Sequence, residues 1–397
     1  MLYRLRHSFF YVGIRIFPFP NPDMISGDDG LKELAERIQK DGLRKILIVT
    51  DENLVKIGLL DDLKTKLDEI NIEYAIFNDV QPNPTIENVE NARKMYQDEK
   101  CQGIIAFGGG SPMDCAKVAA ARIVKPKMPV VKMRGQFRIL KKLPPFYAIP
   151  TTSGTGSETT AAAIITNPET HEKMVIVDLA LIPLVAVLDP NLTIRLPPFI
   201  TATTGMDALT HAIEAHIGWH GTKYISGHAE KATKLIFENI EETYFNGTNK
   251  EARNNMAFAS FHAGIAFTRA SVGYIHAIAH NLGGLYDVPH GLANAVVLPY
   301  VLDAYGWKAH KKLANLAVAG GLISSYSSPK EGAEILIQKI RDLNQKMGLP
   351  SFIKEIQEKD IDIIAERAVK EGNSAYPVPK ILFKSDFIEL LRNIKEQ

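Results

Sequence analysis

Within the stretch GMDALTHAIEAH, Asp207 and His211 stand four residues apart among Ala, Leu and Ile. On a helix, positions i and i+4 project from one face about one turn apart, so a carboxylate and an imidazole at this spacing form a chelating pair. Taken alone, such a pair is more often a hydrogen-bonded contact between helices. A second stretch, GYIHAIAHNLGGLYDVPHGLANAV, changes that balance, because it carries His276, His280 and His290, three of the chain's 11 histidines. His276 and His280 are again i and i+4, and His290 follows a proline at a predicted helix start. With Asp207 and His211, any two of the three complete a set of one carboxylate and three imidazoles. That set suits Fe²⁺ or Zn²⁺ and offers no soft thiolate. Spacing alone leaves open which two. His216, His220 and His228 fall on other faces or beyond the first helix and read as structural or surface residues.

A different chemistry is suggested by GIIAFGGGSPMDCAK: a strand, three glycines and a helix start. Ser111 is placed to cap that helix, and Pro112 suits its first position. Glycines at 108 to 110 let a phosphate approach the backbone, and a helix N-terminus offers free N–H groups and the positive end of a dipole. IPTTSGTGSETT (149 to 160) leaves another strand in a run of Thr, Ser and Gly. Two polar loops would then meet at the carboxyl edge of one sheet, where open α/β sheets bind ligands.

The elements that must position these residues change character along the chain. KILIVT, IEYAIF, GIIAF, FYAIP and VAVLDP read as buried strands separated by helical stretches such as TIENVENARKMYQ. They predict a parallel sheet with helices on both faces. AAIIT and KMVIV around NPETH predict a hairpin, and the alternating FFYVGIRIF an early strand rather than a targeting segment. Beyond Thr193 the apolar spacing is almost entirely helical, with few β-branched runs. The boundary is therefore placed near 190 to 195, giving an α/β domain over 1–192 and an all-helical domain over 193–397.

The 397 residues carry a net charge of +1, with 46% hydrophobic residues, which gives no global pull toward nucleic acid or a membrane and points to small-molecule partners. Cys101 and Cys115, the only two cysteines, are too few for a disulfide framework and fit a reducing cytoplasm. From Arg122 to Lys142 there are eight Lys or Arg and no acid, read as a solvated excursion over an anionic cofactor.

Together GGGSPMDCAK, PTTSGTGSE, GMDALTHAIEAH, HAIAHNLGGLYDVPHGLANAVVLP and PNPTIENV resemble the iron-containing (type III) alcohol dehydrogenases, in order, from about residue 43 to 305. The resemblance implies a Rossmann-like dinucleotide-binding domain followed by an all-α domain, an architecture shared with dehydroquinate synthases, with the metal in the cleft between them. It implies Asp207, His211, His276 and His290 as metal ligands, and His280 as an unligated histidine close to the nicotinamide. It puts the pyrophosphate on Gly109, Gly110 and Ser111 with Asp114 nearby, and Asn83, Thr151, Thr152, Thr155 and Lys173 around the cofactor. Asp51 matches the position where an acid marks preference for NAD over NADP, although capping a helix that starts near Glu52 is an equally simple role. The implied reaction is reversible hydride transfer between NAD(P) and a small alcohol, with the metal, Fe²⁺ or Zn²⁺, polarising the alcohol oxygen in a homodimer or higher homo-oligomer. A glycerol dehydrogenase-like polyol oxidoreductase is the neighbouring alternative. A metal-dependent hydrolase of a phosphorylated small molecule is the alternative from another class. The N-terminal 22 residues and the basic stretch depart from the family pattern.

Overall fold

The computed structural model describes residues 19–170 and 172–395. They form two compact units: Pro20–Arg195, and Leu196 onward together with Phe19. The division falls three residues beyond the expected 192. Phe19 joins the helical unit because the Arg269 guanidinium donates to its carbonyl at 2.9 Å and lies over its ring. The proposed early strand FFYVGIRIF lies outside the described residues.

The α/β unit runs β1 (Asp23–Ser26), α1 (Gly30–Lys40), β2 (Lys45–Val49), α2 (Glu52–Lys56), α3 (Asp61–Glu69), β3 (Glu73–Phe77), α4 (Ile86–Asp98), β4 (Gly103–Gly108), α5 (Gly110–Val124), α6 (Val130–Met133), β5 (Gly135–Gln136), β6 (Phe146–Pro150), β7 (Ala162–Asn167), β8 (Glu172–Val177) and β9 (Val185–Leu188). A six-stranded parallel sheet has the order β1-β9-β6-β4-β2-β3. The predicted hairpin is β7–β8, and β5 adds to it in a separate three-stranded sheet. Side-chain alternation explains why the central strands read as continuous apolar runs: Leu47, Val49, Ile104 and Ala106 enter the core on one face, Ile46, Ile48, Ile105 and Phe107 the core on the other. A strand covered on both faces has no polar side to show. Each of the Leu, Ile, Val and Phe side chains removed from water contributes about 1.5–3 kcal/mol.

The basic stretch is anchored to the first of these cores by its apolar residues, while Lys127, Lys132, Arg134, Arg138, Lys141 and Lys142 stay exposed, as expected. Val130, Met133, Ile139 and Leu143 are buried there between its charges. Arg122, its first cation, is 6% exposed and is held by Glu90 and by the carbonyls of Lys125 and Met128. A guanidinium supplies five fixed donors, and these acceptors make it a structural cation.

The helical unit comprises α7 (Pro198–Ile217), α8 (Lys223–Phe245), α9 (Lys250–Ala270), α10 (Tyr274–Tyr286), α11 (His290–Tyr305), α12 (Trp307–Ala319), α13 (Pro329–Lys346), α14 (Ile361–Ala375) and α15 (Lys384–Ile394). α7 packs on α8, α9 and α11, and from Gly205 to Ile217 every residue is buried. A helix buried on all sides belongs at the centre of such a bundle. Among the described residues no helix is long and apolar enough to cross a membrane.

Candidate active site

Asp207 and His211 lie one turn apart on the central helix α7, 2% and 5% exposed. α11 reaches them through Gly291: a Cβ there would fall 2.3 Å from the carbonyl oxygen of Thr203, one turn before Asp207 on α7. Only glycine permits that approach, which brings His290 to the carboxylate. Asp207 Oδ1 lies 3.6 Å from His290 Nε2 and 3.8 Å from His276 Nε2. Ligand atoms of Asp207, His276 and His290 all lie within 4.8 Å of one another. His211 joins them through His276, with the two Nε2 atoms 2.9 Å apart, and its other ring face stacks on Phe267 at 4.1 Å.

Two residues that the sequence reading did not single out hold this set. Glu214, one turn beyond His211, accepts from the backbone N–H groups of Gly273 and Ile275, at the start of α10, and from His276 Nδ1 at 2.6 Å. Burial raises its carboxyl and these N–H groups oppose that shift; with both oxygens accepting from N–H donors, the ionised carboxylate is the form this pocket fits. The bond fixes the His276 proton on Nδ1 and leaves the lone pair on Nε2. A carboxylate behind a ligating imidazole sets its tautomer and raises its basicity. Burial, reinforced by the neighbouring imidazoles of His211, His290 and His280, keeps His276 well below the usual imidazole range. The ring is therefore neutral at neutral pH, the form that binds a metal. Asn294, one turn after His290 on α11 and fully buried, donates its amide to Asp207 Oδ1 at 2.7 Å and lies 3.2 Å from Nε2 of both His276 and His290. A carboxylate and neutral imidazoles converging on one point have the donor chemistry of a divalent cation site.

His280 turns away from this point. Its Nδ1 meets Glu371 of α14 at 2.7 Å, and its ring stacks on that of His290. Burial would push the Glu371 carboxyl up, but His280 and the Tyr376 hydroxyl outweigh it and hold it below the usual range. His216 and His220 are buried without joining the cluster, and His228 pairs with His262 through their Nδ1 atoms at 2.8 Å.

In the α/β unit the two polar loops do meet at the carboxyl edge of the sheet. Gly108 pairs with Pro150 across β4 and β6, and the Thr151 N–H donates to the Gly108 carbonyl. A Cβ on Gly110 would lie 3.0 Å from the Thr155 methyl, and one on Gly109 3.4 Å from Thr152 Oγ1. Ser111 is not the N-cap. α5 begins at Gly110 with Gly109 as its cap, after Gly108 turns the chain out of β4 at a φ of 146° that favours glycine, and this leaves Ser111 inside the first turn with its hydroxyl unused for capping. Asp114 is committed to the loop, accepting from Ser157 Oγ at 3.1 Å and the Ile164 N–H at 2.9 Å. Asp51 caps α2, accepting from the Leu54 N–H at 3.1 Å. Asn83 sits exposed in the turn after β3 with φ of 57°, and Lys173 lies on β8 opposite Thr166.

Residues 21–190 match the model of iron-containing alcohol dehydrogenases, and 201–394 that of the family's C-terminal domain. The 1,3-propanediol dehydrogenase of Klebsiella pneumoniae is 40% identical over 91% of this chain and 94% of its own length. The chain belongs to the iron-containing alcohol dehydrogenase family. The NAD-dependent methanol dehydrogenase of Bacillus methanolicus is 34% identical over 94% of this chain and 98% of its own. The crystal structure of a 1,3-propanediol oxidoreductase superposes with a TM-score of 0.91 at 37% identity, covering 96% of this chain and all of that one. As an iron-containing alcohol dehydrogenase the chain is an oxidoreductase that interconverts alcohols and aldehydes, and membership implies a nicotinamide cofactor and a metal of the iron type. These matches do not favour the glycerol dehydrogenase-like or hydrolase alternatives.

Proposed function

We propose that Asp207, His211, His276 and His290 hold one divalent metal, Fe²⁺ or Zn²⁺, and that the chain uses it with NAD to interconvert a small alcohol and its aldehyde or ketone. The observation that carries this reading is the convergence of Asp207 Oδ1 with Nε2 of His276 and His290, with His276 held by Glu214 as a neutral ligand. When bound, the cation supplies Lewis acidity at the alcohol oxygen, and the nicotinamide supplies the hydride acceptor.

The rest of the work belongs to the chain's own side chains. Glu214 and Asn294 orient the ligands, and Phe267 shields one face of His211 from water. His280, engaged through Nδ1, offers Nε2 to the alcohol proton and relays it to solvent. On the α/β unit, Gly109, Gly110 and Ser111 present the first-turn N–H groups of α5 to a pyrophosphate, while Thr151, Thr152, Thr155, Asn83 and Lys173 contact the remainder of the cofactor. Asp114 acts on it through the loop it holds. Asp51 spends one lone pair on its cap and keeps others for a ribose 2′-OH, and its charge disfavours a 2′-phosphate. Two free, buried cysteines support the cytoplasm as the compartment.

The test is alcohol oxidation by the metal-loaded protein, with short primary alcohols and diols offered with NAD and NADP separately. Metal-dependent NADH formation, faster than NADPH formation, is the expected result. NADPH forming faster would contradict the role of Asp51. His280→Ala is expected to slow turnover and change its solvent isotope effect, and retention of both would remove the relay.

A further inference from the structure

His276 and His280 stand one turn apart on α10, and each brings its Nδ1 to a carboxylate: Glu214 at 2.6 Å and Glu371 at 2.7 Å. For His276 this arrangement prepares a ligand. Glu371 comes from α14, 91 residues away in sequence, and the same oxygen, Oε1, also accepts the Tyr376 hydroxyl at 2.5 Å. Tyr376 is buried. An oxygen that accepts from a tyrosine hydroxyl and faces an imidazole nitrogen requires that nitrogen to carry the proton. With the proton on Nδ1, the lone pair of a neutral ring lies on Nε2.

The contact is not what docks α14 on α10. Tyr274 of α10 does that: its hydroxyl donates to Asn373 Oδ1 on α14, and its ring packs against Gly372, where a Cβ would fall 2.5 Å from it. Glu371 is thus free of a packing duty at the point where it meets His280.

We infer that Glu371 is a positioning residue for the reaction: it holds His280 in the Nδ1–H tautomer so that Nε2 is the proton acceptor, and Tyr376 holds the carboxylate in place. The inference rests on the reading of His280 as the proton relay. A carboxylate can only accept from the ring, whereas a glutamine amide offers either an oxygen or an N–H and no longer dictates the tautomer.

The experiment uses full-length, zinc-loaded protein labelled with ¹⁵N-histidine, the His280 signals being assigned by their loss in His280→Ala. Wild type is expected to show Nδ1 protonated and Nε2 unprotonated. Glu371→Gln is expected to mix or invert that pattern and to lower kcat about 10–100-fold, with the KM for alcohol and the metal content unchanged. Tyr376→Phe, which leaves the carboxylate present, should lower kcat by a smaller factor, about 5-fold. A wild-type ring protonated on Nε2 would overturn the inference. So would a full kcat in a Glu371→Gln protein whose tautomer has changed, or a loss that tracks missing metal. Absence of turnover in the wild type counts against the dehydrogenase reading itself; the tautomer spectrum needs no substrate and still decides whether Glu371 sets the ring.

Discussion

In the α/β unit the buried polar cluster contains its own cation, whereas in the helical unit it is built of acceptors. Lys117, on α5 one turn after Asp114, is fully buried and donates to Ser157 Oγ, the Thr160 carbonyl and hydroxyl, and the Ala162 carbonyl, all at 2.9–3.0 Å. Asp114 and the buried Glu158 lie near enough to bias its charge, raising a pKa that burial lowers to about 8. Its ammonium ties residues 157–162 to α5. In the helical unit Asp207 and three imidazoles face one another with no Lys or Arg among them, and the Asn294 amide donates to the carboxylate. A cluster neutralised from within serves structure, while an acceptor set of this kind serves binding. The two should respond oppositely to mutation.

Breaking the acceptor set should have the largest effect. Asp207→Ala is expected to lose the metal and to lower turnover by about 10³-fold or more, since Lewis-acid stabilisation is worth several kcal/mol. The fold should survive, because the helices around Asp207 are already packed. Metal content per chain, measured alongside the melting temperature, checks this, and an unchanged metal content would remove Asp207 from the ligand set. Breaking the neutralised cluster should do the reverse. Lys117→Met leaves Asp114 and Glu158 without their cation and should cost about 3–5 kcal/mol in urea unfolding, with the metal content unaffected. A loss below about 1 kcal/mol would mean that Lys117 carries no charge worth compensating.

Two smaller changes sharpen the contrast. Glu214→Gln keeps the shape behind His276 and removes the charge, so metal affinity should fall about 10–100-fold in a chelator competition while the melting temperature of the metal-free protein moves little. Glu158, 1% exposed and with no partner for Oε1 among the described residues, has its carboxyl raised by burial from 4.5 to about 7. A raised carboxyl favours the folded state while protonated, so its contribution is full below about pH 4.5 and is lost as pH rises through about 7. Glu158→Gln lacks that loss. It should be more stable than wild type by about 1–2 kcal/mol well above neutrality and show no gain near pH 5, as read by melting temperature across pH.

Much of the fold was legible because the central strands, buried on both faces, show no alternation and stand out as apolar runs. The metal set was half legible. Asp207 and His211 share a helix face, so their spacing carries the signal, but only the packing of α10 and α11 on α7 shows that His276 and His290, and not His280, converge on Asp207. Glu214 left a trace, an acid one turn past His211 on the same mostly buried helix. Glu371 left none, since its partner lies on another helix and only the packing of α14 on α10 brings them together. Ser111 misled because Ser before Pro is a common cap, and the glycine turn out of β4 starts the helix two residues earlier than that pattern suggests. Arg122 looked solvated because charge was counted without the interleaved Val130, Met133 and Ile139 that fold the stretch inward.

The measurement that bears most directly on the account is reconstitution. Protein stripped by a chelator and titrated with Fe²⁺ or Zn²⁺ is followed for bound metal and for NADH formed from a short alcohol. The account predicts one ion per chain, with activity rising in proportion to it and reaching its plateau at that stoichiometry. Undiminished NADH formation in the stripped protein, or a filled site with no reduction of NAD or NADP, would contradict it.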